Sequence, residues 1–427
     1  MKYEIKKLPK NIIELTIEVS VDKLKPYLER AAQRLSLEVK IPGFRPGKAP
    51  YEIVKQKIGE AAIYEEAIGD VVKETYFKVV KEENLETIGE PKIEPLKLAP
   101  GNPLVYKATV ALLPKIELAN YRKIRVKRHK VPVEEKKVQK VLEDLRRARR
   151  KEVLVDRAAQ EGDKVIIDLD ILQDNVPIEG GQAKGHTVVI GEPYYIPGFD
   201  KKLIGLKGKE VSEFTLPFPN DHYNKRLRGQ KIDFKIKMNS VYELTLPKLD
   251  SEFVQSLGNF KDLEELKKQI KANLKEEERL KEEQRCEREI FEEIIKRSRF
   301  EEIPEVLITS EVDKMLEELN ANVSEQGLKF EDYLTSIKKT AEDLRKEFRQ
   351  QAERRVKTAL IIREITRFEN IEVKEEEIEK ETKGALKYYP DDIETQKKIE
   401  SDAYRDYLRE VLKNRKAVEL LKSLIIR

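Results

Sequence analysis

The residues best able to ligate a metal or act as nucleophiles are few: His129, His186, His222 and a single cysteine, Cys286. No histidine has a cysteine nearby or a partner at ligand spacing, so the pattern implies no metal. Cys286 lies in a charged stretch with no adjacent histidine, which makes it a poor nucleophile. No glycine-rich phosphate loop of Walker type occurs, so action without ATP and without a cofactor is expected. Charged residues make up 39% of the chain, and paired carboxylates are therefore too common to signal catalysis. The chemistry left is recognition. In Lys40-Ile41-Pro42-Gly43-Phe44-Arg45-Pro46-Gly47-Lys48-Ala49-Pro50, three prolines fix φ and two glycines free it. Such a loop is stiff and sharply bent, and it leaves Phe44, Arg45 and Lys48 pointing outward. It reads either as a dock for something anionic and partly apolar, or as a helix–helix connector with Phe44 tucked into the core.

The chain has 427 residues, enough for two to four domains. Its 85 Lys+Arg against 81 Asp+Glu leave a net charge of +4, which argues against a protein that coats DNA or RNA all over. One cysteine excludes an internal disulfide framework and fits a reducing compartment. No run approaches the ~20 apolar residues of a membrane span, and the start has no apolar signal core. A cytoplasmic chain without a membrane partner is expected.

Around the loop, residues 3–19 predict two strands about a turn at Pro9-Lys10-Asn11, with Ile13, Leu15, Ile17 and Val19 on the buried face. Asp22 is the expected N-cap of a helix to about residue 39. Helices follow at 50–58 and 60–83, and strand-like pieces at 86–98 and 103–117. Residues 1–112 thus form one α+β domain. Residues 113–151 read as an extended linker and a basic helix. The cations in Arg146-Arg147-Ala148-Arg149-Arg150-Lys151 suit a solvated helix end, with contact to RNA as the alternative. Residues 152–245 are rich in turn glycines and predict a small antiparallel half-barrel around one short helix at 198–206. Residues 246–427 have almost no glycine and read as helices: a very long one from 262 to about 299, others opening at Pro304, Phe330 and Thr340, and a last one after Tyr389-Pro390-Asp391. Within 271–290 thirteen of twenty residues are charged, and only Leu274, Leu280, Cys286 and Ile290 give a thin apolar stripe.

The run Gly43-Phe44-Arg45-Pro46-Gly47-Lys48-Ala49-Pro50 resembles the ribosome-docking signature of the bacterial trigger factor family, chaperones at the nascent-chain exit. Ile196-Pro197-Gly198-Phe199-Asp200, followed by Gly205-Leu206-Lys207-Gly208, is similar to the FKBP-type prolyl isomerase fold, which trigger factors carry in the middle of the chain. The resemblance covers essentially the whole sequence. It implies an α+β multidomain protein. The parts would be an N-terminal ribosome-binding domain, a central FKBP-like half-barrel and an all-α C-terminal domain with protruding helical arms. It implies Gly43, Phe44, Arg45, Pro46, Gly47 and Lys48 as the dock on the large ribosomal subunit, at protein and rRNA beside the exit tunnel. Nascent and unfolded chains would be the clients. Apolar surface on the docking face and arms, left open off the ribosome, further predicts self-association as a homodimer.

By position, the resemblance also implies a pocket of Leu169, Ile178, Glu179, His186, Tyr195, Ile196, Phe199, Tyr223 and Phe234. Phe199 would be its floor, on the short helix. The Ile196 N–H would meet the substrate carbonyl, and Tyr223 would supply a hydroxyl at the rim. Isomerisation requires an X–Pro amide to twist across a barrier of ~18–20 kcal/mol, and a water-poor apolar pocket favours the less polar twisted state. Leu169, Ile178 and His186 stand where FKBP domains usually carry aromatics, which implies weak turnover. Two other readings stay open on the residues: a free prolyl isomerase with a helical dimerisation scaffold, and a helical assembly chaperone whose FKBP-like domain is only a clamp.

Overall fold

The computed structural model describes all residues except 130, 131, 133, 174–175, 193–195, 220–227 and the side chain of Glu179. It falls into two compact units. One comprises residues 1–128 and 283–427, and the other 129–282.

The first unit begins with β1 (Lys2–Leu8) and β2 (Ile12–Val19), joined where Lys10 and Asn11 take positive φ. Alternation buries Ile13, Leu15, Ile17 and Val19 on one face. Helices α1 (Val21–Glu38), α2 (Tyr51–Ile58) and α3 (Glu60–Glu82) follow, then β3 (Thr87–Lys97) and β4 (Leu104–Leu112). The sheet order is β1-β2-β4-β3. One core joins β2 and β4 to α1 and α3, with Tyr106 fully buried and its hydroxyl 2.7 Å from that of Thr75. Arg34 clamps α1 to α3, 2.6 Å from Glu66 and 2.8 Å from Asp70. The expected Asp22 cap is corrected: Ser20 is the N-cap, and Asp22 sits in the first turn, where its carboxylate faces the positive helix end.

The segment after β4 is held by backbone. β5 (Ile116–Glu117) pairs with β11 (Arg299–Phe300), the Val126 N–H donates to Ile425 at 3.0 Å, and the Arg128 N–H donates to Arg427 at 2.9 Å. Tyr121, Ile124 and Val126 are buried in the helical core of this unit. The span read as one linker therefore divides: its first part belongs to the first unit, its helix to the second.

The second unit holds α4 (Glu135–Ala148), β6 (Lys151–Val155), β7 (Lys164–Gln173), β8 (Val176–Val189), β9 (Val211–Pro217), β10 (Lys231–Thr245), α5 (Ser251–Leu257) and the first half of α6 (Leu263–Arg297). The sheet order is β6-β10-β7-β8, with β9 also on β10. Two strand readings are corrected. β6 follows the helix directly and takes its expected last residue, Lys151, in a stretch where no strand was expected. β8 runs through Gly180, Gly181 and Gly185, which read as turns. Gly180 and Gly185 take positive φ, and β8 shifts register against β7 twice, so these glycines mark irregularities within one strand. Val138, Leu142, Phe253, Val254, Leu266 and Ile270 form a separate helical core.

The remaining helices belong to the first unit: the second half of α6, then α7 (Glu305–Glu325), α8 (Phe330–Ile337), α9 (Ala341–Phe368), α10 (Glu375–Leu386), α11 (Ile393–Ile399) and α12 (Asp402–Ile425). Thr340 and Asp343 form a reciprocal capping box at the start of α9. Cys286, Ile290, Ile361, Ile365, Ala417 and Leu421 share one core. α7, α8 and the start of α9 enclose a second cluster, and Ile378, Leu408 and Leu412 a third, smaller one. The stripe on α6 is divided accordingly: Leu274 packs in the second unit, Cys286 and Ile290 in the first, and Leu280 is exposed. No helix among the described residues is long and apolar enough to cross a membrane.

Candidate functional site

Residues 41–50 are two proline-glycine turns in succession. In Ile41-Pro42-Gly43-Phe44 the Phe44 N–H donates to the Ile41 carbonyl at 3.3 Å, and Gly43 takes φ +87°. In Arg45-Pro46-Gly47-Lys48 the Lys48 N–H donates to the Arg45 carbonyl at 3.0 Å, and Gly47 takes φ +76°. Proline second and a positive-φ glycine third define type II turns. Buried Ile41 and Ala49 anchor the ends in the core, and the Gly47 N–H donates to Ser36 of α1 at 3.2 Å. Phe44 is 41% exposed, so it is not tucked into the core. Leu37 and Val39, at the end of α1 just before the loop, are exposed as well. Residues 39–50 contain no carboxylate. Among the described residues, no hydrogen bond or ion pair engages the side chains of Lys40, Arg45 and Lys48, on a chain otherwise laced with ion pairs. The loop thus presents an apolar ring and unneutralised cations on a backbone that cannot collapse around them.

In the half-barrel, a third turn of the same kind sets the floor. Ile196-Pro197-Gly198-Phe199 closes with the Phe199 N–H donating to the Ile196 carbonyl at 3.2 Å and Gly198 at φ +83°. The expected helix at 198–206 is corrected to one 3₁₀ turn, Asp200–Leu203, with Phe199 just before it. Pro197-Gly198 in front and Gly205, at φ +89°, behind leave no room for more. Phe199, Ile196 and Phe234 are completely buried, and Leu169 nearly so, in one core against which Ile178 packs. Phe199 meets Phe234 edge-on at 5.4 Å and Phe214 at 5.6 Å, while Phe214 and Phe218 stack on Phe234. Phe214 and Phe218 were missed by sequence reasoning. The available signal was the alternation Phe214, Leu216, Phe218 along and just past β9, which puts all three on one face.

His186 is half-buried and pairs across strands with Ile167, on the core side of β8. Tyr195, Tyr223 and the side chain of Glu179 lie outside the described residues. Among the described residues, nothing accepts a hydrogen bond from the Ile196 N–H. At the first register shift of β8, Asp168 accepts from the Gly185 N–H at 2.9 Å and from Asn239 at 2.8 Å, and these two bonds hold its carboxyl below the usual range. Asp163 is buried under the turn before β7. Burial alone would raise its pKa, but the Arg157 guanidinium, at 2.5 and 3.0 Å, and the Gln160 N–H outweigh that and lower it.

The cations of 146–151 are engaged inside their own unit. Arg146 donates to the Pro247 carbonyl at 3.0 Å, Arg147 pairs with Glu143, Arg150 with Glu192 and Lys151 with Glu252. No group of histidine, cysteine and carboxylate side chains able to hold a metal occurs among the described residues.

Three family models match the chain in sequence order. The bacterial trigger factor protein model covers residues 1–145, the FKBP-type peptidyl-prolyl cis-trans isomerase model 155–246, and the trigger factor C-terminus model 262–423. The class is therefore a chaperone with an FKBP-type prolyl isomerase domain set into its middle. The trigger factor of Caldicellulosiruptor bescii is 34% identical over 424 residues, covering 99% of this chain and 96% of its own. That of Thermoanaerobacter pseudethanolicus is 33% identical over 424 residues, covering 99% and 98%. The chain belongs to the trigger factor family, whose members are ribosome-associated chaperones that bind nascent chains. A solved structure described under promiscuous substrate recognition by the trigger factor chaperone aligns over 99% of both chains, at 24% identity and a TM-score of 0.48.

Proposed function

We propose that this chain docks through Phe44, Arg45 and Lys48, held by Gly43, Pro46 and Gly47, on the large ribosomal subunit at protein and rRNA beside the exit tunnel. The observation that carries the reading is the pair of type II turns: they hold Phe44 out between cations that, among the described residues, no carboxylate neutralises. Phosphates and a partly apolar protein surface are the complementary partner. The protein acts in the cytoplasm and without ATP.

The central domain isomerises X–Pro bonds on a floor of Phe199 and Phe234, with Leu169 and Ile178 in the same core and the Ile196 N–H for the substrate carbonyl. Tyr195, Tyr223 and the Glu179 side chain, outside the described residues, are assigned to the pocket by the family resemblance alone, Tyr223 as the rim hydroxyl. A phenylalanine floor favours the twisted amide over the planar one, because the twisted state is less polar and needs less water. Aliphatic Leu169 and Ile178 and half-polar His186 make this a weak catalyst. Exposed Phe368, Tyr388, Ile393 and Tyr407, on and between the helices from α9 to α12, stand in a charged frame and suit many unfolded segments without favouring one. Off the ribosome, exposed Leu37, Val39 and Phe44 favour a homodimer.

The test is ribosome co-sedimentation at two salt concentrations, wild type against Phe44→Ala/Arg45→Ala/Lys48→Ala. Wild type pelleting with the large subunit, weakening with salt, and a variant left in the supernatant are expected. A variant that pellets like wild type removes the loop as the dock.

A further inference from the structure

An edge strand leaves a row of backbone N–H and C=O groups without partners in its sheet, and most edges here carry devices that discourage pairing. β1 has Lys2, Glu4, Lys6 and Lys7. β3 has Pro91 and Pro95 among Lys92, Glu94 and Lys97. β8 is broken by Pro177 and its glycines, and β9 carries Glu213 and ends at Pro217. β6 is different. It stands at one end of the order β6-β10-β7-β8, paired with β10 from Val155 opposite Val241 to Lys151 opposite Thr245. Val153-Leu154-Val155 contains no charge, proline or glycine. Val153 is 52% and Leu154 64% exposed, on opposite faces of the strand.

The two charges that open β6 are drawn away from its free edge. Glu152 is held 2.5 Å from Lys164 of β7, whose ammonium lies over the ring of Tyr242 on the intervening β10. Lys151 reaches toward Glu252 of α5. Among the described residues, backbone hydrogen bonds from 151–155 go only to β10.

We propose that β6 takes an extended segment of an unfolded polypeptide as one further strand, and this rests on the reading of the chain as a chaperone of unfolded chains. The open backbone row recognises any extended chain whatever its sequence. Leu154 beside Tyr242, and Val153 on the other face, add contact for apolar side chains at alternate positions. A second copy of β6 fits worse, because antiparallel self-pairing centred on Val153 sets Lys151 opposite Val155. The mode differs from the proline pocket, since it reads backbone and needs no proline.

The probe is an octapeptide of alternating valine and threonine, added to the full-length ¹⁵N-labelled protein, with amide exchange read by NMR. Exchange of the free-edge amides of β6 is expected to slow about tenfold or more, with binding weakened by a similar factor when alternate peptide nitrogens are methylated. Val153→Lys/Leu154→Lys should abolish the protection and leave the thermal melt unchanged, since both side chains are exposed. If the peptide binds but β6 amides exchange as before, or the methylated peptide binds equally well, the β6 proposal fails and the chaperone reading survives. If β6 is already protected without peptide, in proportion to protein concentration, the edge belongs to a second copy and the proposal also fails. If a reduced, carboxymethylated unfolded protein does not bind anywhere, both fall.

Discussion

Gly47 stands against Leu37: a Cβ on Gly47 would lie 2.7 Å from Leu37 Cδ2, at a backbone φ of +76°. The end of α1 and the second turn of the loop are therefore fitted to each other, with the Gly47 N–H bonded to Ser36 of the same helix turn. Gly43, at φ +87°, has nothing within 4 Å of its Cβ position. Gly47→Ala and Gly43→Ala should each cost about 1–2 kcal/mol from the positive φ. Only Gly47→Ala must also push Leu37 aside, and it should lose the larger share of ribosome affinity, about tenfold. Co-sedimentation titrations beside thermal melts check this, and equal losses for the two variants would show that displacing Leu37 leaves the dock unchanged.

Phe199 is the residue on which the aromatic floor turns, touching Phe214 and Phe234 edge-on. Phe199→Leu keeps most of the volume and loses the ring edges. We expect a stability loss of about 1–2 kcal/mol and a fall in proline-peptide isomerisation of about tenfold. Phe199→Ala should cost about 3–5 kcal/mol, so its activity reports folding as well as chemistry. A Phe199→Leu rate equal to wild type would mean the ring is core only.

The Arg157–Asp163 pair ties the bend after β6 to the turn before β7. Asp163 has its folded-state pKa below the ordinary 3.8, so its contribution is complete above that pH and is lost as pH falls below it. Asp163→Asn should cost about 1–2 kcal/mol at neutral pH, reduced from a fully buried pair because Arg157 is partly solvated. The variant should also flatten the acid limb of the stability curve. Urea midpoints from pH 7 to pH 3 test this, and parallel curves for the two proteins would contradict it.

Tyr121 donates to Glu369, which Arg122 also grips at 2.7 and 2.9 Å. Burial first, then the bond to Glu369, pushes the Tyr121 pKa to about 12. An acid raised in the folded state contributes fully below its ordinary pKa of 10 and loses that contribution as pH climbs toward 12. Wild type should lose about 2 kcal/mol over that interval relative to Tyr121→Phe. The difference between their urea midpoints at pH 9 and near pH 12 reads it, and a constant difference would show that Tyr121 does not titrate with folding.

Much of this protein was legible because its signals are local. Thr340 and Asp343 announce the start of α9, Pro9-Lys10-Asn11 the first hairpin, and the charged run before Arg297 the long α6. The proline-glycine pairs at 42–43, 46–47 and 197–198 specify their turns with no help from the rest of the chain, because ring and missing Cβ act within four residues. These turns expose Phe44 and set Phe199 at the foot of the half-barrel.

Tertiary structure decided what depends on distant partners. The same Ile-Pro-Gly-Phe run leaves Phe44 at the surface and buries Phe199 completely, since only the second meets Phe214 and Phe234 from strands far along the chain. The glycines of β8 became irregularities within a strand because β7 supplied a ladder. Tyr121, Ile124 and Val126 became core because α6, α9 and α12 close around them. A residue's type sets what it can bury, and the apolar area that rewards burial is supplied by chain that no local window contains.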